Sequence, residues 1–104
     1  MPPQDMLRPM IERIAAQFHP IRVILFGSRA TGESSDNSDF DLLVISDAPV
    51  PSRQLALAIR KSLAEFPIAC DVIVKKQQDF QRLRGVVNHI VYLADRYGKV
   101  VYEQ

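Results

Sequence analysis

Three aspartates stand where the surrounding pattern calls for β-strand. Asp39 and Asp41 flank Phe40 in S-D-F-D-L-L-V-I, and Asp71 lies inside I-A-C-D-V-I-V. Side chains alternate faces along a strand, so Asp39 and Asp41 point the same way, about 6.6 to 6.8 Å apart. Asp71 shares the parity of Ala69 and Ile73 and opposes Cys70, Val72 and Val74. Aspartate is depleted in strands. An isolated carboxylate is costly to bury, and converging carboxylates add mutual repulsion. A divalent cation removes that cost and turns the cluster into a site for hard oxygen ligands such as phosphates. The plainer alternative is a set of strand-edge or turn aspartates that happen to alternate.

The segment upstream of the pair bears on the same chemistry. Ile21–Phe26 reads I-R-V-I-L-F, an apolar β-rich run, and is followed by Gly27, Ser28 and R-A-T-G. Glycine lets the backbone turn sharply and approach a ligand closely. Ser28 would begin a short helical turn whose free amides face an anion. An ordinary strand-to-helix turn with a serine cap is the bland reading of the same residues. Arg29 could touch a triphosphate or stand in solvent, and Gly32 would end the short turn. Ten residues separate Ser28 from Asp39. An anion cradle, a carboxylate pair and a third carboxylate on a later strand suit cation-assisted transfer from a nucleoside triphosphate.

Gly27, Ser28, Asp39 and Asp41 form G-S-x10-D-x-D, which resembles the signature of the polymerase-β-like nucleotidyltransferases. The longer string G-S-R-A-T-G…S-D-F-D-L-L-V, with G-K-V-V-Y-E at the end, looks like the minimal nucleotidyltransferase branch. The resemblance implies an α/β (α+β) fold with a mixed sheet and helices mainly on one face. It implies Mg²⁺, two ions about 3.5 to 4 Å apart, bridged by Asp39 and Asp41. Asp71 would complete the first metal site and draw the proton from the attacking hydroxyl. Gly27, Ser28 and Arg29 would bind the nucleotide. The branch further implies ATP as donor, a tyrosine of a HEPN-domain ribonuclease toxin as acceptor, an antitoxin role and a hetero-oligomer. Two rival functions are a binding antitoxin that occludes its toxin without catalysis, and a small-molecule nucleotidyltransferase. The chain is short for the latter, because nothing in it resembles a separate acceptor-binding domain.

Composition narrows the setting. A chain of 104 residues is expected to form one domain, residues 1–104, with a modest core. A formal net charge of +1 gives no basic field, so direct nucleic-acid binding is not expected. The single cysteine, Cys70, excludes an internal disulfide and fits a reducing cytoplasm. No apolar run approaches the roughly 20 residues of a membrane span, and M-P-P-Q-D-M lacks a secretory signal pattern, so a cytoplasmic protein is expected.

Hydrophobic periodicity predicts alternating helices and strands. Asp5 would cap a first helix bearing Leu7, Ile11, Ile14 and Phe18, ended by His19-Pro20. Strands are expected at 21–26, 39–46, 68–74 and 99–102. Ser52 would cap a helix bearing Leu55, Ile59, Leu63 and Phe66. Asp79 would cap one long helix carrying Phe80, Leu83, Val86, Val87, Ile90, Ala94 and Tyr97, stopped by Gly98. Helices would then cover one face of a mixed sheet and leave the other partly open for the site.

Overall fold

A computed structural model describes residues 6–27 and 40–104. Four helices and four strands lie among them, in the order α1 (Leu7–Phe18), β1 (Arg22–Phe26), β2 (Phe40–Ile45), α2 (Ser52–Ser62), β3 (Cys70–Lys75), α3 (Gln77–Leu83), α4 (Ile90–Tyr97) and β4 (Lys99–Glu103). The proposed cap Asp5 lies outside the described residues. None of the described helices is long and apolar enough to cross a membrane.

The strands form one mixed sheet in the order β3-β2-β1-β4. β1 runs antiparallel to both β2 and β4, and β2 runs parallel to β3. Parallel neighbours need a crossover, and α2 provides it. α1 stops where His19 adopts a left-handed conformation, φ 47°, with its N–H donating to Ala15 O at 3.2 Å. Pro20, which follows, cannot donate the N–H that a further helical turn would need.

Strand alternation builds two cores. Phe40, Leu42 and Val44 of β2 join Met10 and Ile14 of α1, Leu55 and Ile59 of α2, and Val72 and Val74 of β3. Leu43 and Ile45 face the other way, toward Ile24, Phe80, Leu83, Val91 and Ala94. The larger cluster thus lies under α1 and α2, and a smaller one under α3 and α4. The expected mixed sheet is present, but helices lie on both of its faces, α1 and α2 on one and the shorter α3 and α4 on the other. On the second face the smaller cluster reaches Leu43 on β2, with Phe26 and Ile73 at its margin. The next residues on that face are Asp41 and Asp71.

The long C-terminal helix expected from the apolar arc is instead two helices. Gly85 lies between them, and glycine in a helix interior costs about 1 kcal/mol relative to alanine. The β-branched Val86 and Val87 add rotamer penalties. Asn88 takes φ 68°, which no α-helix can continue through. His89 then caps α4, its Nδ1 accepting from Val91 N–H at 3.1 Å. The expected caps also move. Pro51 precedes α2 and Ser52 is its first residue. Asp79 sits within the first turn of α3, whose leading amide, Gln77 N–H, donates to Asp47 Oδ1 at 3.0 Å. That cap comes from the loop after β2, thirty positions upstream.

Candidate functional site

Asp41 is the second residue of β2 and Asp71 the second of β3, and the parallel register pairs them directly. Adjacent strands lie about 4.8 Å apart. The parities that place Leu43 and Ile73 on the face of α3 and α4 place both aspartates there too. Asp41 is half-buried and Asp71 exposed. Two residues distant in sequence are thereby made neighbours by strand pairing, and each is held at a sheet position rather than on a free loop.

The turn after β1 meets the pair from the other side. Phe26 pairs with Asp41 in the antiparallel register, so Gly27 emerges beside the Asp41 carboxylate. Gly27 has φ 78°, a conformation that disfavours any L side chain. A Cβ there would collide with Asp41 Oδ2 and stand 3.3 Å from its Cγ. Glycine is therefore required twice, for its backbone angle and for the space that the carboxylate fills. The sequence motif identified Gly27 as a turn residue but could not reveal this contact, which depends on β1–β2 pairing.

Of the residues singled out from sequence, the fold brings Gly27, Asp41 and Asp71 together. Ser28, Arg29 and Asp39 lie outside the described residues. Among the described residues no group of three or more histidine, cysteine, aspartate or glutamate side chains is poised to hold a metal. Asp41 and Asp71 form a pair, and the third ligand named from sequence, Asp39, is not among those residues. Carboxylate oxygens are hard donors that suit Mg²⁺ rather than a soft transition metal, so the donor chemistry present fits the expected cation.

Lys76, which follows β3, reaches back to the loop after β2, donating to Ala48 O and, at 3.3 Å, to Val50 O. It ties the end of β3 to the end of β2 and so helps fix the register that aligns the aspartates. A Lys-to-carbonyl contact across 28 positions leaves no local sequence signal.

A mixed sheet that presents paired carboxylates beside a glycine turn is a scaffold for phosphate chemistry. Residues 7–93 match the family described as nucleotidyltransferase domain, and the chain belongs to that family. Transfer of a nucleotidyl group is accordingly its reaction class. The crystal structure of a candidate nucleotidyltransferase from Sulfolobus solfataricus, at 1.40 Å resolution, matches with a TM-score of 0.66. That match covers 96% of this chain and 79% of the other at 18% sequence identity, and it bears on the fold alone. No curated protein matches the sequence.

Proposed function

We propose that this chain transfers AMP from ATP to a protein hydroxyl, a tyrosine of a HEPN-domain ribonuclease, and thereby acts as that ribonuclease's antitoxin. The observation that carries the reading is the in-register pairing of Asp41 with Asp71 beside Gly27, within a nucleotidyltransferase domain. The resemblance of G-S-R-A-T-G…S-D-F-D-L-L-V to the minimal branch supplies the donor and the acceptor.

Asp41 and Asp71, with Asp39, would hold Mg²⁺, which when bound supplies charge stabilisation at the phosphates. Asp41 is oriented by its packing against Gly27, so its carboxylate is preorganised. Gly27, Ser28 and Arg29 position the triphosphate, the first two through backbone amides and the serine hydroxyl. The acceptor oxygen forms a bond to the α-phosphorus as the bond from that phosphorus to the α–β bridging oxygen breaks. The bridging oxygen departs with pyrophosphate, and the acceptor proton passes to the Asp71 carboxylate. Asp71 is more exposed than Asp41, which suits contact with an incoming acceptor.

A second reading, occlusion without transfer, draws on one observation. Val86, Val87, Ile90, Leu93 and Tyr97 are 40–67% exposed on and just before α4, more apolar side chain than a solvated helix needs. One experiment separates the two. The chain is mixed with its HEPN partner, ATP and Mg²⁺, and the partner is weighed by mass spectrometry while its ribonuclease activity is followed. The expected result is a gain of one or more AMP units and loss of ribonuclease activity. The Asp41→Asn, Asp71→Asn double variant should bind the partner yet leave mass and ribonuclease activity unchanged. Silencing by the double variant as complete as by the wild type, with no mass change in either mixture, would reject transfer in favour of occlusion.

A further inference from the structure

We propose that the acceptor reaches this site as an extended, acidic segment of the partner protein, added as a fifth strand on the open edge of β3. The inference rests on the transferase reading above and names how the acceptor is delivered. Ala69 O accepts from Phe40 N–H and Lys75 O from Ser46 N–H, so the odd-numbered residues of β3 direct their backbone groups toward β2. Val72 and Val74 then direct theirs to the opposite side, where β3 has no strand neighbour among the described residues. An unpaired edge is a template for strand addition, in which backbone hydrogen bonds supply affinity and alternate side-chain contacts supply specificity.

The chemistry beside that edge selects the occupant. A groove of about 470 Å³ runs between α2 and β3, and Arg53, Leu57, Arg60 and Lys75 line it with the two valines. Arg53, Leu57 and Arg60 follow i, i+4, i+7 spacing, so they form one stripe along α2. Leu57 is 52% exposed at the centre of that stripe. Five arginines elsewhere on the molecule meet a carboxylate. Arg53, Arg60 and Lys75 meet none among the described residues, and no acidic residue lines the groove. A segment with acidic side chains flanking an apolar one complements this stripe. A second copy of the chain does not, because its own Arg53, Arg60 and Lys75 would approach theirs. A single-stranded nucleic acid would find the charge but no aromatic side chain in the groove on which to stack a base.

The geometry links this edge to the aspartates. Side chains of an added strand alternate faces, so those on the α2 face meet the basic stripe and those between them lie on the face of Asp71. Asp71 is three residues from Val74 along β3, about 10 Å in an extended strand. Anchoring on one face therefore carries a hydroxyl on the other to the carboxylate pair.

The test uses the whole chain and a short synthetic peptide with glutamate, valine and glutamate at alternate positions, which share one face of an extended strand, and one tyrosine between them on the opposite face. Calorimetry gives its affinity, and amide hydrogen exchange read by NMR locates it. Expected results are slowed exchange at Val72 and Val74, and at least about tenfold weaker binding by the Arg53→Glu, Arg60→Glu double variant. Val74→Pro removes an outward N–H without touching the β2 ladder and should abolish strand addition. Should that variant not fold, the charge reversal and the same peptide with glutamine for glutamate still decide the matter. Equal affinity for wild type and the double variant, protection confined to other residues, or tighter binding of a single-stranded RNA oligonucleotide at this edge would each overturn the proposal. Binding at Val72 and Val74 with AMP transfer to neither the peptide nor free tyrosine would uphold strand addition and count against the transferase reading instead.

Discussion

A methyl group at Gly27 has no room. The φ of 78° strains an alanine there, and its Cβ would drive into the Asp41 carboxylate. Gly27→Ala should destabilise the fold by about 1–2 kcal/mol in denaturant unfolding. It should also reduce nucleotidyl transfer more than the lost folded fraction explains, because Asp41 must move. Transfer at the wild-type rate per folded molecule would show that the Asp41 position is not critical. Asp71 offers the opposite test. It is exposed, so Asp71→Asn should leave unfolding free energy within about 0.5 kcal/mol of wild type. Its proposed contact is with the acceptor, so turnover should fall while affinity for a non-hydrolysable ATP analogue with Mg²⁺ stays nearly constant. A large loss of affinity with intact turnover would move Asp71 out of the proton-accepting role. The parity argument reached both aspartates from sequence alone, since a strand's alternation is a local property. Their side-by-side register and the packing of Asp41 on Gly27 depend on pairing between segments, and local pattern does not encode that.

At the scale of elements, short-range chemistry was legible and long-range chemistry was not. The apolar runs of β1, β2 and β3 and the stripe of α1 appear in the fold within a residue or two of their expected bounds, whereas α2 ends at Ser62, four residues before Phe66, the last residue of its expected stripe. The larger departure is the C-terminal helical region. Its apolar periodicity runs unbroken from Phe80 to Tyr97 and so argues for one helix, yet Gly85, Asn88 and the His89 cap divide it. Burial chose between the two outcomes. The break lets Phe80 and Leu83 from α3 and Val91 and Ala94 from α4 reach the same cluster on the sheet. The distant Asp47 cap on α3 has the same character, visible only once β2 and β3 are paired. The junction between α4 and β4 gives the sharpest stability test. A Cβ on Gly98 would collide with Ala94 O and lie 2.7 Å from Ile24 Cγ2 and 2.8 Å from Leu25 O. Two of these neighbours are backbone and cannot swing aside. Gly98→Ala should therefore cost about 1–3 kcal/mol by chemical denaturation, and a neutral result would show that α4 can shift on the sheet.

Across the whole molecule, one sheet divides two cores and carries the candidate site at the margin of the smaller. The larger cluster, buried under α1 and α2, fixes Phe40, Leu42 and Val44, and with them the strand on which Asp41 sits. The smaller cluster ends at Leu43 and Ile73, one step along the same face from each aspartate. Rigid strands therefore hold both carboxylates, and the free energy of folding opposes their mutual repulsion. Such a site should bind a divalent cation without refolding. Titration with Mn²⁺ in the presence of ATP, read by NMR line broadening, tests this most directly, because a paramagnetic ion broadens the resonances nearest to it. Broadening centred on Gly27, Asp41 and Asp71, displaced by excess Mg²⁺ and lost in the Asp41→Asn, Asp71→Asn double variant, is the predicted result. Broadening centred elsewhere, or undiminished in the double variant, would contradict the assignment of these aspartates as the cation site.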